Sequence, residues 1–339
     1  MNLKFDEQML CGTCVEPGKF DLTTVDMPSN APAGWVLLDI QAVGICGTDY
    51  HIFEGKHPYL NYPRVIGHEL SGRVVNDVNG WKQGDLVVVN PYISCGKCHA
   101  CLRLKPNCCS NIQVLGVHRD GGLCARLAVP LTNIYAATGL SEIEAAMVEF
   151  LAIGAHAVRR SSVCNIDRVL VTGAGPIGLG TALFARLTGA EVHLLDVSET
   201  RLELISQKFN FKNIHVVGAD LLIGDLADGF DVVFDATGYA KAMEAGFGYV
   251  AHGGQYIFVS VVKDKITFDD GEFHKREMSI IGSRNALKED FDTVVLAIKN
   301  KQIDTSALAS EILSLTEMKT RFGELVNDRE TLIKAIVKL

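Results

Sequence analysis

The spacing of hydrophobic residues changes character near residue 150. Before that point, short apolar runs at residues 35–40, 72–75 and 85–89 are separated by Gly and Pro. Apolar runs bounded in this way are typical of short β-strands joined by tight turns. We therefore predict a β-rich, barrel-like segment over residues 1–149.

A different pattern follows, in which short apolar segments alternate with segments of helical spacing. Six strands with intervening helices predict a doubly wound parallel sheet of the α/β class. The tail after Arg284 is predicted to be mostly helix and loop and to return to the first domain. The predicted domains are residues 1–149 with 285–339, and residues 150–284. The predicted strands are 167–172, 191–197, 213–217, 231–236, 255–262 and 278–281, and the predicted helices include 176–188 and 199–209.

Composition and charge exclude several classes of protein. The formal net charge is −8 and no run of Lys and Arg exceeds two residues, so we expect no nucleic-acid partner. No apolar run is long enough to cross a bilayer, and the first residues lack a signal-peptide pattern. Five of the ten cysteines lie between Cys95 and Cys109, which favours a metal site over a disulfide framework. The chain is therefore predicted to be cytoplasmic, with no membrane partner.

A glycine-rich turn follows the first strand of the second domain. Gly173, Gly175 and Gly178 form a G-x-G-x-x-G motif between that strand and a predicted helix. Such glycines permit a tight turn, close approach of a pyrophosphate, and close packing of helix on strand. Asp196 ends the next strand, 18 residues after Gly178, where a carboxylate accepts the ribose hydroxyls of NAD. We predict NAD binding, with Arg201 as a further contact; the alternative is a plain βα turn with a solvated aspartate.

Four closely spaced cysteines predict a structural zinc site. Cys95, Cys98 and Cys101 are each separated by two residues, and Cys109 follows after seven more. Four thiolates this close in sequence suit a closed tetrahedral zinc. Cys108 is adjacent to Cys109, so spacing alone leaves both open as the fourth ligand.

A second candidate metal site has mixed ligands. Cys46, His68 and Glu69 offer a thiolate, an imidazole and a carboxylate, which suit a zinc ion with an open position for substrate. Thr48 is predicted to pass a proton from a metal-bound alcohol, and His51 to accept it. The remaining member of the predicted catalytic set is Asp49, which would orient His68 from the second shell; its alternative is a turn residue.

These motifs resemble the zinc-containing medium-chain dehydrogenase/reductase family along essentially the whole chain. The resemblance implies a GroES-like catalytic domain, a Rossmann NAD-binding domain and two zinc ions per subunit. It implies Cys109 as the fourth structural ligand, and Cys46, His68 and Glu69 as ligands of the catalytic zinc. It also implies a homodimer or a homotetramer. The segments that carry it are 44–49, 62–69, 95–109, 116–122, 173–180 and 282–285.

The polyol and threonine dehydrogenase branch of that family has a Glu-Pro pair whose Glu lies near the catalytic zinc. Here the pair is Glu149-Phe150, so Glu149 is a further candidate ligand without the proline. A closer resemblance, to family members that oxidise a sugar acid, predicts L-galactonate oxidised at C5; a sister enzyme of another aldonate or polyol is the alternative. Its segments are 155–160, 272–277, 282–286, 289–291 and 329–334.

Substrate and cofactor contacts complete the predicted site. An aldonate carboxylate needs a cation or several amide donors, and Arg284 is the preferred candidate, with His118 and Arg119 as a second pair. Further expected cofactor contacts are Pro176, Ile177, Val259, Arg284 and Asn285.

Two other classes of function are alternatives to a zinc-dependent NAD dehydrogenase. A quinone-reductase-like relative would bind cofactor without zinc, but it has no need for the Cys46, His68, Glu69 and Thr48 set. A redox-responsive binding protein would use the four-cysteine lobe as a switch. Cys11 and Cys14 offer a conceivable redox pair, although packing in a strand is the favoured role.

Overall fold

A computed structural model describes residues 8–57, 60–328 and 330–339, and its contacts divide the chain into two compact units. Unit 1 takes the described residues up to Glu149 together with Val295–Lys301 and Leu308–Leu339. Unit 2 takes Phe150–Val294 and Gln302–Ala307. Residues 285–294 were expected in the first domain but group with unit 2. The boundaries of the catalytic and NAD-binding domains stay a prediction. Arg329 of the segment 329–334 lies outside the described residues, as do residues 1–7 of the segment tested for a signal peptide.

Within the described residues, strands are distributed along both units. In chain order they are β1 (Gln8–Glu16), β2 (Lys19–Asp26), β3 (Trp35–Ile45), β4 (Arg64–Val65), β5 (Glu69–Val74), β6 (Leu86–Val89), β7 (Tyr92–Ile93), β8 (Gln113–Val114), β9 (Arg126–Pro130), β10 (Ile134–Ala136), β11 (Arg168–Thr172), β12 (Glu191–Asp196), β13 (Asn213–Val216), β14 (Phe230–Asp235), β15 (Val250–Phe258), β16 (Ser279–Gly282), β17 (Ala309–Ser314) and β18 (Lys334–Lys338).

Helices alternate with the strands, most regularly in unit 2. The α-helices are α1 (Gly47–Phe53), α2 (His99–Leu102), α3 (Glu142–Ala146), α4 (Val148–Arg160), α5 (Pro176–Leu187), α6 (Glu199–Phe209), α7 (Ala240–Gly246), α8 (Asp270–Lys275), α9 (Lys288–Lys299), α10 (Thr305–Leu308) and α11 (Leu315–Asn327). Short 3₁₀ turns span Pro106–Cys108, Leu131–Asn133, Gly224–Leu226 and Phe247–Tyr249.

Unit 1 is built on a seven-stranded sheet around the long strand β3. The strand order is β10-β6-β5-β3-β18-β17, and β9 also pairs with β3. A separate three-stranded sheet has the order β2-β1-β4, and β7 pairs with β8. Helix α11 covers part of the core, where the ring of Phe322 stacks on Phe20 at 4.7 Å between centroids. The β-rich prediction for the first domain is confirmed by this arrangement.

The tail of the chain differs from its prediction of mostly helix and loop. It contains two strands, β17 and β18, that pair in parallel and join the main sheet of unit 1. Strand β18 pairs antiparallel with β3, with Ile336 opposite Gly44. Burial from Ile333 to Val337 makes this a central strand of the sheet. Helices α9, α10 and α11 agree with a tail that is mostly helix and loop, but the two strands were missed because a short strand leaves few repeats of the two-residue period.

Unit 2 is a six-stranded parallel sheet, as predicted. Its order is β13-β12-β11-β14-β15-β16, with every pair parallel. Strands β11 and β14 are buried almost throughout, which is expected where a parallel sheet is covered on both faces. The order reverses between β11 and β14, and ligands of doubly wound sheets bind beyond the carboxyl ends of the strands at such a point.

Helix α6 illustrates how the local sequence sets an element. Ser198 caps its start by accepting a hydrogen bond from the Arg201 N–H at 3.3 Å, and Asn210 ends it in the left-handed conformation. Across the described residues, no helix combines the length and the apolar character needed to span a bilayer.

Candidate functional site

The mixed-ligand cluster of unit 1 lies where β3 ends and β5 begins. Cys46 follows β3 and caps the start of α1, His68 immediately precedes β5, and Glu69 is the first residue of β5. The two strands are antiparallel neighbours, with Gly44 opposite Glu69. One ligand atom from each of Cys46, His68 and Glu69 lies within 4.8 Å of the others. The structure therefore brings Cys46 next to the adjacent pair His68 and Glu69, which follows it by more than twenty residues in sequence.

Two glycines make room for this cluster. Gly67 has a φ of +94°, and a β-carbon there would lie 2.8 Å from Val43 Cγ1. A β-carbon on Gly44 would lie 2.1 Å from Glu69 Oε2. Side chains at either position would push into the strand or the carboxylate, so the backbone turn that presents His68 and Glu69 requires glycine.

Asp49 lies behind His68, as predicted for an orienting carboxylate. It is fully buried and accepts hydrogen bonds from the backbone N–H of Cys46 at 2.9 Å and of Gly67 at 3.3 Å. His68 Nδ1 is buried 3.6 Å from Asp49 Oδ1, too far for a hydrogen bond, and has no closer hydrogen-bond partner. Burial disfavours the charged ring, but Asp49 and the Cys46 thiol raise the pKa of His68 well above its ordinary value. An imidazole held between a carboxylate and a thiol fits a metal ligand backed by a second shell.

A buried lysine that the sequence analysis did not single out contacts the same cluster. Lys334 Nζ lies 2.7 and 2.8 Å from the two oxygens of Glu69 and donates to the Ile45 carbonyl at 3.2 Å. Its side chain is 1% exposed. Along β18 the position lies on the same face as the exposed Lys338, so the local pattern carries no signal of a buried lysine. Glu69 therefore has a buried cationic partner as well as a place beside the metal-binding side chains.

Glu149 is buried but is not one of the three residues whose ligand atoms converge. The Tyr92 hydroxyl donates a short hydrogen bond to Glu149 Oε1. Burial and the charge of Glu69 raise the pKa of Glu149 to about 7, against the lowering effect of His68. Direct ligation by Glu149 thus stays a prediction. Tyr92 is a second neighbour that no sequence motif indicated.

The predicted proton-relay residues lie on α1. The Thr48 hydroxyl is 3.7 Å from the Cys46 thiol. His51 lies in the last turn of the same helix and is exposed. Residues three positions apart in a helix lie on one face, so both side chains are on the same side of α1. This arrangement suits a path from the metal-binding cluster toward solvent.

The four-cysteine set also converges. Ligand atoms of Cys95, Cys98, Cys101 and Cys109 all lie within 4.8 Å of one another, with the Cys98 and Cys101 sulfurs 3.5 Å apart. Cys108 is exposed and outside the set. Backbone N–H groups of Cys101 and Ser110 lower the pKa of Cys98 to about 5, which favours the thiolate form that metals bind.

The glycine turn of unit 2 has the crowding that its motif predicts. A β-carbon on Gly178 would lie 1.7 Å from the carbonyl oxygen of Gly173, and Gly173 itself has a φ of +87°. At Gly175 the nearest atom to such a β-carbon is a guanidinium nitrogen of Arg201, 4.0 Å away. The first and third glycines are thus required by packing, whereas the second faces open space where a ligand could approach.

A cavity of about 540 Å³ opens beside this turn at the carboxyl ends of the strands. Asp196 and Arg201 line it together with Gly173 and Gly175. Asp196 Oδ2 accepts from the Ala174 N–H at 2.6 Å, which fixes the carboxylate next to the turn. The remaining lining residues are Thr172, Leu195, Val197, Val217, Ala236, Thr237, Tyr239, Ala242, Ala245 and Tyr249.

The other predicted cofactor contacts do not line this cavity. Pro176 and Ile177 begin α5 just past the turn. Val259 follows the end of β15, and Arg284 and Asn285 follow the end of β16. They share the carboxyl edge of the sheet with the cavity, since all six strands are parallel. Their cofactor role stays a prediction.

The structure gives different contacts to His118 and Arg119, the second candidate pair for a substrate carboxylate. The Arg119 guanidinium lies 5.0 Å from the Trp35 ring centroid and donates to Gln113 at 3.2 Å. His118 Nδ1 accepts from the Val114 N–H, and its side chain lines a separate polar pocket with Arg64. Stacking on Trp35 gives Arg119 a structural role that the motif did not indicate.

Cys11 and Cys14 are both buried in β1, as expected for packing in a strand. Opposite Cys11 lies Cys124, in an isolated antiparallel bridge. The two cysteines of the C-x-x-C motif have different surroundings: Cys11 faces Cys124, whereas burial raises the pKa of the Cys14 thiol to about 12.

Comparisons with known proteins match most of the chain. The model of the Alcohol dehydrogenase GroES-like domain matches residues 32–138, and that of the Zinc-binding dehydrogenase family matches residues 176–300. L-galactonate-5-dehydrogenase of Escherichia coli K12 is 39% identical over 312 residues, covering 89% of this chain and 91% of that protein.

Solved structures match over nearly the whole length. An alcohol dehydrogenase from Escherichia coli CFT073, in complex with NADH, has a TM-score of 0.91 at 25% identity and covers 98% of this chain and 99% of its own. A zinc-binding dehydrogenase from Sinorhizobium meliloti 1021, bound to NADP, has a TM-score of 0.88 at 26% identity, with coverages of 98% and 100%.

The chain belongs to the zinc-type alcohol dehydrogenase family. It is an oxidoreductase with a GroES-like domain and a Rossmann-type domain, as the sequence motifs predicted.

Proposed function

We propose that this protein oxidises a secondary alcohol of a sugar acid to a ketone, with NAD as the hydride acceptor, and that its substrate is L-galactonate, oxidised at C5. The observation that carries the proposal is the convergence of Cys46, His68 and Glu69 beside the Thr48 hydroxyl. The substrate rests on the 39% identity to L-galactonate-5-dehydrogenase. Dehydrogenases of sorbitol, L-threonine or L-idonate type are the alternatives within the same mechanism.

The donor set suits zinc, with Cys46, His68 and Glu69 as ligands and Glu149 as a further candidate nearby. Held by these residues, zinc would supply a Lewis acid that favours loss of the alcohol proton and polarises the ketone in the reverse direction. Thr48 would accept the alcohol proton and pass one on toward the exposed imidazole of His51. NAD would supply the hydride acceptor, so the overall reaction would convert alcohol and NAD to ketone, NADH and one proton.

NAD is assigned to the cavity of unit 2. Its pyrophosphate would approach the open face of Gly175, beside the start of α5, where a helix N-terminus favours anions. The carboxylate of Asp196 would accept the ribose hydroxyls and disfavour a 2′-phosphate. Arg201 adds a positive charge to the same wall. These contacts support NAD as the cofactor in preference to NADP.

The carboxylate of an aldonate needs a cationic partner, and Arg284 remains the preferred one. It is exposed and follows the last strand of the parallel sheet. His118 is the second candidate, at the wall of a polar pocket that also contains Arg64. Arg119 is the weakest of the three because it already stacks on Trp35.

Metal content, assembly and compartment follow from the same features. We assign two zinc ions to each subunit, one at the mixed-ligand cluster and one at the four-cysteine set. Strand β16 ends the parallel sheet with Ser279, Ile280 and Gly282 exposed, and an open strand edge of this kind suits pairing with a second copy in a homodimer or homotetramer. Clusters of reduced thiols suit a cytoplasmic location.

Substitution of Cys46 by Ala tests the catalytic-zinc assignment. Because the thiolate ligand is lost, we expect turnover to fall more than about a hundredfold and zinc content to fall by one ion per chain, while NAD binding stays unchanged. Steady-state kinetics, metal analysis and cofactor titration measure these three quantities. The exposed Cys108→Ala is the matched control and should change none of them. Wild-type turnover by Cys46→Ala in metal-free buffer would remove the cluster from the mechanism.

A further inference from the structure

Cys11 in β1 lies directly opposite Cys124, which belongs to a neighbouring extended segment of unit 1. They form an antiparallel bridge, and the Gly12 N–H donates to the Leu123 carbonyl at 2.7 Å. This bond lies beside the pair, so the two cysteines occupy a non-hydrogen-bonded position, where Cα atoms are about 4.5 Å apart. Disulfides join Cα atoms separated by about 4.4–6.8 Å. The backbone geometry therefore already fits a disulfide.

The two thiols also interact. A hydrogen bond with Cys124 lowers the pKa of Cys11 in spite of the burial of that thiol. Cys14 is three residues further along β1 and so points to the opposite face of the strand. The partner of Cys11 is thus the distant Cys124 and not its neighbour in the C-x-x-C motif.

Cys124 ends a short segment, residues 121–124, that we call the strap. The strap supports the turn that leads into His68. The N–H groups of Gly121, Gly122 and Leu123 donate to the carbonyls of Val65, Gly67 and Ile66, at 2.8, 2.9 and 3.0 Å respectively. A constraint on Cys124 therefore acts on the backbone immediately before the metal-binding histidine.

Both thiols are buried, but each is one residue from the surface. Leu10 precedes Cys11 and is 43% exposed, and Ala125 follows Cys124 and is also exposed. A small oxidant thus needs only local opening at this end of the pair to reach the sulfurs.

We propose that Cys11 and Cys124 form a reversible disulfide under peroxide, and that this bond fastens the strap to β1. The Cys11 thiolate attacks one oxygen of hydrogen peroxide, giving a sulfenic acid and hydroxide. The Cys124 thiol then attacks the Cys11 sulfur, forming the S–S bond and releasing water. In total, two thiols and one peroxide give one disulfide and two waters, and a dithiol reductant reverses the oxidation.

The test uses the zinc-loaded protein, one equivalent of hydrogen peroxide and peptide mapping without reductant. The tryptic peptide 120–126 contains Cys124 as its sole cysteine, and a Cys14→Ala background assigns its partner to Cys11. We expect a 120–126 cross-link that dithiothreitol removes. Cys11→Ala and Cys124→Ala should each abolish it, whereas Cys164→Ala, at an exposed cysteine, should leave it unchanged.

A second measurement tests the mechanical part of the proposal. Amides of residues 121–123 should exchange hydrogen more slowly in the oxidised protein than in the reduced one, and Cys11→Ala should remove the difference. A link between Cys11 and Cys14, sulfinic acid at Cys11 without a link, or unchanged exchange in the strap would each overturn the proposal. Neither readout needs a substrate, so the result is independent of the proposed function.

Discussion

Buried charges surround the metal-binding side chains of unit 1, and each has a partner. Asp49 is satisfied by two backbone N–H groups, and Glu69 by the ammonium of Lys334. A buried ion pair adds little net stability over apolar residues, but removal of one partner leaves an uncompensated charge. Glu69 and Lys334 therefore depend on each other, and together they fix the charge next to Cys46 and His68.

Replacement of Lys334 by Met should destabilise the protein by about 3–5 kcal/mol, because Glu69 is left buried without its cation. Chemical unfolding of the zinc-free protein measures the change in free energy. Lys338→Met, at the exposed end of the same strand, is the matched control and should change stability by less than about 0.5 kcal/mol. The double variant with Glu69→Gln should recover much of the loss, and a Lys334→Met protein as stable as wild type would contradict the pairing.

Asp196 should control the choice between the two nicotinamide cofactors. Asp196→Asn keeps a hydrogen-bond acceptor near the Ala174 N–H but removes the charge that disfavours a 2′-phosphate. A hydrogen bond to a charged group contributes about 1.5–3 kcal/mol, so we expect the ratio of kcat/KM for NADP over NAD to rise about tenfold or more. Glu199→Gln, an exposed charge three residues on, serves as the control. An unchanged ratio would remove Asp196 from cofactor selection.

At the scale of elements, a buried network joins α4 to the start of α9 within unit 2. Asp290 accepts from His156 Nδ1 at 2.8 Å, from Arg159 Nε at 2.7 Å and from the Leu287 N–H at 2.7 Å. His156, Arg159 and Asp290 belong to segments 155–160 and 289–291, to which no role was assigned from the sequence. Their role is packing and charge balance between two helices.

Acid should weaken this network. Burial alone would raise the pKa of Asp290, but the hydrogen bonds from His156 and Arg159 lower it below its ordinary 3.8. Because the folded pKa is depressed, the stabilisation is present above about pH 4 and is lost as the pH falls through the folded pKa. Asp290→Asn should thus lower the free energy of unfolding by about 2 kcal/mol at pH 7, and this deficit should shrink on acidification toward pH 3.

Unfolding curves of both proteins between pH 3 and pH 7 measure that difference. Asp292→Asn lies on the same helix but is largely exposed, and it is expected to match wild type throughout. A deficit for Asp290→Asn that stays constant with pH would contradict the charge-based account.

Elements with strong local signals were predictable, and elements set by distant partners were not. Helix α6 agrees with its prediction at both ends, because Ser198 and Asn210 cap it locally. Strand β18 was missed because its place is set by pairing with β3, nearly 300 residues away in sequence. Strand β15 is shifted toward the N-terminus relative to its prediction, so Val259 lies just beyond it.

The same distinction applies to the site. Cys46, His68 and the four clustered cysteines stand in compact motifs whose spacing carries the chemistry. Lys334 and Tyr92 carry no such signal, since each meets its partner, Glu69 or Glu149, only through the tertiary fold of unit 1. Arg119 stays a candidate for the substrate carboxylate, but its contact with Trp35, distant in sequence, could not be foreseen for the same reason.

At the scale of the whole molecule, each unit supplies one half of a dehydrogenase. Unit 1 contains both candidate metal sites, and unit 2 contains the glycine turn and its cavity. We propose that the two units together perform zinc-dependent transfer of hydride from a sugar acid to NAD.

The most direct test is the formation of NADH, followed by its absorbance, on L-galactonate, other aldonates, sorbitol and L-threonine, each with and without a zinc chelator. We predict a rate on L-galactonate that the chelator abolishes and added zinc restores. A chelator-sensitive rate confined to another alcohol would keep the mechanism and contradict the substrate. Zinc-dependent oxidation by NAD would be contradicted by a rate that the chelator leaves unchanged, or by no rate on any of these alcohols with zinc present.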